Sequence, residues 1–364
     1  MTSHGSMPKS AWMFPLLAVL LFAAITALGY SFASSSAGWL FAAVLLVILF
    51  GTVFAAVHHA EVVAERIGEP FGTLLLTLSV TIIEVALIAT IMLGEQTVTT
   101  LARDTVFAVV MIVCNGLVGI CILAGGLRYR EQDIQVSGSS VYLSVLSVLA
   151  TITLIMPNYT LTTPGPVYSQ GQLDFVSVVT ILLYAVFLYT QTVRHRDYFI
   201  AGPDAVGDEP SVSSRTMALS LALLLISLLT VVLLAKKFSQ VVDATAALIG
   251  APPAFAGILV ALLILLPESV AAVDAARRNQ LQKSINLALG SSLATIGLTI
   301  PAIDVAAYAL DKQLVLGLPA QEVVLLALTL VLCMLTLGSG RTNILFGLVH
   351  LVVFAVFVFL VFVP

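Results

Sequence analysis

The stretch PFGTLLLTLSVTIIEVALIATIML, Pro70 to Leu93, decides the fold. It holds one charged residue, Glu84, in 24 positions. A helix of that length rises about 36 Å, enough to cross a hydrocarbon core of about 30 Å. Inside such a core every backbone polar group must be satisfied by the segment itself or by a closed barrel. Barrel strands alternate apolar and polar residues over about ten positions. This stretch is apolar nearly all round, so a transmembrane helix is expected.

Outward from it, ten more apolar runs follow the same rule. The expected spans are 11–33, 38–58, 70–93, 104–126, 139–156, 173–192, 215–235, 252–274, 284–310, 320–337 and 342–362. Gly, Pro, Ser and nearly all the charge fall between them. Of the 364 residues 60% are hydrophobic and 9% charged. Soluble domains carry about a quarter charged residues, so most of this surface must face lipid. The predicted fold class is an all-α membrane protein of about 11 helices. Met1 to Ser6, MTSHGS, reads as a non-native leader, with the native start at Met7. The first apolar run reads as a true span, not a cleaved signal, because it lacks a small-residue cleavage site.

The net charge of −4 offers no bulk attraction to nucleic acid. Cys114, Cys121 and Cys333 all sit in apolar spans without metal-ligand spacing, and read as small buried residues. Lys and Arg set the orientation. With the N-terminus on one side, that side collects 11 of the 15 basic residues. It is therefore expected to be cytoplasmic, with the C-terminus outside and the whole chain in the inner membrane. The longest polar connection, Arg194 to Arg215, carries Asp204, Asp208 and Glu209 and reads as a cytoplasmic acidic linker.

Glu84 is the anomaly. A carboxylate in a span is costly, faces the bundle interior and marks an ion path. It lies about 21 Å along its helix from Pro70. Thr73, Thr77 and Thr81 precede it on the same helical face. Those hydroxyls offer oxygens leading to the carboxylate; the plain alternative is a hydrogen bond back to their own helix.

The second half echoes the first. Gly68-Glu69-Pro70 precedes the span with Glu84, and Gly250-Ala251-Pro252 precedes a span with Glu268. Thirteen residues lead from Arg103 to Gly116 and from Arg277 to Gly290. One leading span followed by two sets of five, starting on opposite sides, is the layout of inverted-topology repeats. The expected division is 1–37 with the leading span, 38–192 and 215–364 as the two repeats, and 193–214 as the linker. In the second repeat Pro267 cannot donate to the carbonyl of Leu263, which leaves an oxygen beside Glu268. Hard cations take oxygen ligands. Gly257 and Ala261 allow close approach of a neighbouring helix.

No Lys or Arg lies deep in any expected span, so neither glutamate has a fixed counter-charge there. Two carboxylates brought together repel, and either a cation or protons relieves the repulsion. Competition for the same oxygens implies exchange of a cation for protons. Glu84 and Glu268 are the expected cation and proton ligands. Thr77, Thr81, Leu263, Asn115, Asn286, Ser291 and Ser292 are the supporting candidates, the last four also fitting as glue between helices. His58 and His59 stand at an expected span end, either passing protons or lying at the interface. The turn Gly338 to Asn343 reads as a tight cytoplasmic connection. A channel would favour a symmetric oligomeric pore and needs no inverted repeat. An enzyme or ATP-driven pump lacks any supporting motif here. No cofactor is expected; Ca²⁺, Na⁺ or K⁺ and protons are cargo, and lipid is the surrounding partner.

GEPFGTLLLTLSVTIIEVALI (Gly68 to Ile88), ALLILLPESVAAV (Ala261 to Val273) and LALGSSLATIGLTIP (Leu287 to Pro301) resemble bacterial ChaA-type calcium/cation–proton antiporters, of the cation/calcium exchanger superfamily. RDTVFAVVMIV (Arg103 to Val113) and SGRTN (Ser339 to Asn343) are similar to it too. The resemblance implies alternating access around two α-repeats, with the acidic pair at Glu84 and Glu268 and the serine motif at Gly290-Ser291-Ser292. The chain departs from the wider superfamily at Val80-Thr81 and Leu266-Pro267, where Gly-Asn pairs are frequent. It departs again at Met111 and near Ala294. The leading expectation is therefore export of Ca²⁺, with Na⁺ or K⁺ as further cargo, against protons; fewer side-chain oxygens leave Na⁺/H⁺ or K⁺/H⁺ exchange without Ca²⁺ preference as the alternative.

Overall fold

The computed structural model describes residues 8–30, 32, 35–68, 71–92, 99–199, 213–309 and 312–363. The leader, Pro70 and the acidic residues Asp204, Asp208 and Glu209 lie outside the described residues. Among the described residues, eleven helical stretches are long and apolar enough to cross a membrane, as the sequence predicts. Contacts group the chain into two compact units that interleave in sequence. These units reflect packing, whereas the expected division at 38, 193 and 215 concerns sequence symmetry.

The first unit comprises α1 (Lys9–Ala27), α2 (Ser36–Ile67), α3 (Phe71–Met92) and α8 (Ser214–Ile249). Two of these overrun their expected ends. The expected span 38–58 becomes a helix of 32 residues, and 215–235 becomes one of 36. A helix does not stop where apolar sequence stops; it stops where its backbone does. Both end at glycines in positive φ, Gly68 at 76° and Gly250 at 64°, a conformation open to glycine and costly for other residues. At about 48 and 54 Å these helices exceed the hydrocarbon thickness. Lys236 and Lys237, expected in a connection, therefore sit within α8.

The second unit holds the other seven spans. Its centre is the span Leu101–Tyr129, 89% of whose most apolar stretch is buried. That span is α4 (Leu101–Met111), a π-helical turn at Ile112–Leu117, and α5 (Val118–Tyr129). The remaining helices are α6 (Val136–Ala150), α7 (Gln170–Tyr189), α9 (Ala254–Arg277), α10 (Leu281–Ala294), α11 (Ile300–Ala309), α12 (Ala320–Gly338) and α13 (Ile344–Phe362). Small residues let backbones approach. A Cβ on Gly119 would lie 3.0 Å from the Gly347 carbonyl oxygen, so α5 and α13 meet at a glycine pair. A Cβ on Gly257 would lie 2.8 Å from the Thr105 nitrogen, which fits the expected close approach of a helix to α9.

Three further π-helical turns interrupt spans, at Thr151–Ile155, Thr190–Arg194 and Thr295–Thr299. Two precede a proline by two residues, Pro157 and Pro301. Proline supplies no amide to the carbonyl four residues back, and the widened turn takes up the mismatch. The expected tight turn before Asn343 contains a strand instead. β1 (Glu131–Asp133) and β2 (Arg341–Asn343) pair antiparallel, Gln132 opposite Thr342. Arg341 and Asp133 meet at 3.1 Å on that ribbon.

Candidate ion-handling site

In the first unit Glu84 lies on α3, which packs against α2 and α8. Its side chain is 1% exposed. The threonine stripe follows the plain alternative as far as its protons go. Thr77 donates to the Thr73 carbonyl and Thr81 to the Thr77 carbonyl, each at 2.9 Å. A hydroxyl that donates backward still has lone pairs to offer, so the stripe remains a row of acceptors beside Glu84.

The two histidines lie inside a helix that runs on past the expected span end, since α2 continues to Ile67. His59 is fully buried and its Nε2 lies 2.9 Å from the carbonyl oxygen of Ala11. The cause is Pro15 in α1, which cannot donate to that carbonyl. Nε2–H of His59 replaces the missing amide and ties α2 to α1. That burial and contact favour a structural tie for His59 over the expected proton access. His58 is half-buried and packs its ring against that of His59, centroids 5.5 Å apart.

In the second unit Glu268 is half-buried on α9, which packs against α4, α5 and α10. The helix runs unbroken through Pro267. The proline still removes the amide that would face the Leu263 carbonyl, and Leu263 is fully buried. Ser292 on α10 is also fully buried, and its Oγ meets no hydrogen-bond partner among the described residues. Ser291, one position earlier, is half-buried.

Both asparagines are engaged by protein. Asn286 donates to the Phe199 carbonyl at 2.5 Å and accepts from Gln282 at 2.8 Å. These bonds hold Asn286 against the segment after α7, and its Oδ1 keeps a second lone pair beside the bond from Gln282. Asn115, fully buried in its π-helical turn, donates to Thr329 at 2.8 Å and faces Nδ1 of His350 at 3.3 Å. Nε2 of His350 lies 3.0 Å from Thr336 Oγ1. This polar cluster stitches the central span to α12 and α13, the helix-glue alternative for Asn115.

Sequence reasoning passed over Thr329, Thr336 and His350, and also Asp304. Asp304 is 5% exposed and accepts from Ser177 at 2.8 Å and Gln170 at 3.3 Å. The signal was available: Asp304 is a carboxylate inside an expected span, and His350 a histidine deep in another. Near the start of α4, Arg103 pairs with the buried Asp104 at 2.7 Å and donates to the Gly317 carbonyl. Among the described residues, no three His, Cys, Asp or Glu side chains gather as a metal centre would require.

Eleven helical stretches long and apolar enough to cross a membrane, among the described residues, define the class as a multi-span membrane protein. The chain belongs to the sodium/calcium exchanger protein family, a family of secondary transporters, whose pattern matches residues 36–193 and 219–363. It is 46% identical to a Sinorhizobium fredii protein designated y4hA, over 87% of each chain. It is 38% identical to the sodium-potassium/proton antiporter ChaA of Escherichia coli, again over 87% of each. The Ca²⁺/H⁺ antiporter of Aphanothece halophytica is 25% identical over 64% of this chain and 66% of its own. The fold matches native YfkE with a TM-score of 0.73 at 16% identity, covering 97% of this chain and all of that one. It also matches the H⁺/Ca²⁺ exchanger CAX with a TM-score of 0.69 at 17% identity, over 96% and 89%.

Proposed function

We propose that this chain is a secondary antiporter that exchanges a monovalent cation, Na⁺ or K⁺, for protons, with Glu84 and Glu268 taking cation or protons in turn. The observation that carries it is Glu84, a carboxylate 1% exposed well inside a membrane-spanning helix. Such a charge is tolerable only when a cation or proton neutralises it or a fixed partner does. In exchange, the neutralising species is the cargo. Thr77, Thr81, Ser291, Ser292 and the Leu263 carbonyl are the proposed supporting oxygens.

The monovalent reading is supported by similarity to a relative named for those ions. The Escherichia coli relative at 38% identity is named for sodium and potassium. A Ca²⁺/H⁺ exchanger is the second reading, favoured by the calcium-named relatives at 20–25% identity. Lys and Arg bias further places the N-terminus in the cytoplasm and the C-terminus outside. A reporter active only in the cytoplasm, fused after Pro364, should stay silent; activity would reverse this orientation.

The test is reconstitution into vesicles with an imposed pH gradient. Addition of Na⁺ or K⁺ should collapse the gradient, with Ca²⁺ weaker. Cation flux that leaves the gradient intact would refute antiport. Glu84→Gln and Glu268→Gln should each abolish coupled flux while the protein still purifies as a folded species. Full activity in either removes that residue from the mechanism.

A further inference from the structure

The first unit carries a second polar feature that ion exchange does not use. In α8, the 20 residues Thr216 to Ala235 contain no charge, and Arg215 and Lys236-Lys237 bracket them. At 1.5 Å per residue they span about 30 Å, the thickness of the hydrocarbon core. The two lysines therefore leave the core at the level of the lipid phosphates. There α1 ends at Ala27, Gly29 turns with φ 60°, and Lys237 Nζ donates to the Tyr30 carbonyl at 2.7 Å.

A cavity of about 380 Å³ opens between these elements. Phe22, Ile25 and Leu233 form its apolar part, and Tyr30, Lys236 and Lys237 its polar part. Among the described residues neither lysine pairs with a carboxylate. Lys237 spends one of its three N–H donors on Tyr30, leaving two; Lys236 is exposed. Each ammonium near a membrane surface attracts anionic lipid.

We propose that this cavity binds the headgroup of an anionic phospholipid, with its phosphodiester on Lys236 and Lys237 and an acyl chain over Phe22, Ile25 and Leu233. The occupant is a lipid, not free phosphate, because most of the wall is apolar. A small anion would satisfy the ammonium groups and leave that part against water. The same attraction would pin the outer end of α8 against α1, within a unit that also holds Glu84.

The test is native mass spectrometry of the detergent-solubilised full chain, titrated with phosphatidylglycerol or phosphatidylcholine. The wild type should retain phosphatidylglycerol through delipidation and release phosphatidylcholine. Lys236→Gln leaves the Tyr30 contact in place and should weaken phosphatidylglycerol retention about fivefold. Lys236→Gln with Lys237→Gln should weaken it further. Lys283→Gln, at an exposed lysine of the other unit, should change nothing. Equal retention of the two lipids, or wild-type retention in Lys236→Gln, would overturn the proposal. An equal loss in Lys283→Gln would make the attraction nonspecific and overturn it too. Displacement of the lipid by millimolar inorganic phosphate would replace the lipid with a free anion as occupant.

Discussion

Each proline in a span leaves a carbonyl four residues earlier without its helical donor, and the chain treats two of these differently. At Ala11 the deficit made by Pro15 is met by His59 across the α1–α2 contact. At Leu263 the deficit made by Pro267 stands five residues before Glu268 in sequence, and a cation is the proposed partner. His59→Ala should therefore cost about 1–3 kcal/mol, the cost of a buried acceptor left unmet. Thermal unfolding in detergent measures it. Because His59 Nε2 is a donor to backbone, the pH profile of exchange should keep its midpoint in that variant. A shifted midpoint would restore the proton-access role that burial argues against. Glu84 was legible in sequence, since a single charge among apolar residues stands out. The partners of Asn115 were not, because Thr329 and His350 are more than 200 residues away in the chain.

Elements in this bundle are positioned by close backbone approach as much as by side-chain bulk. Gly257 sets the distance between α9, which carries Glu268, and α4. Gly257→Ala places a methyl against the backbone of Thr105, which cannot rotate aside. Overpacking of this kind costs about 1–3 kcal/mol. The variant should melt earlier and lose transport, whereas Gly171→Ala, with open space around it, should do neither. Equal melting of the two would mean that α9 has room to move. The apolar periodicity located α3 within a residue of its described ends, Phe71 and Met92. It misjudged α2 and α8, which stay helical beyond their apolar runs until a glycine stops them.

For the molecule as a whole, the central expectation concerns competition. If protons and cation share the two carboxylates, raising the pH on the cation-loading side removes protons and frees oxygens. Apparent cation affinity should therefore rise with pH and fall as the solution is acidified, with maximal flux much less affected. Initial rates at graded Na⁺ and K⁺ over several pH values in vesicles measure this. An affinity independent of pH would separate the proton path from the cation site. Sequence alone locates eleven stretches apolar enough to cross a membrane, and Glu84 and Glu268 deep within two of them. Both follow from local composition, because lipid penalises charge and bare backbone wherever they occur. Only the tertiary structure decided which polar groups are already spoken for. The asparagines went to protein partners, His59 went to a proline's orphaned carbonyl, and Lys236 and Lys237 went to the rim of a cavity. Hydrogen bonding is settled by which atoms meet in space, and residues hundreds of positions apart do not announce that meeting in their own stretch of chain.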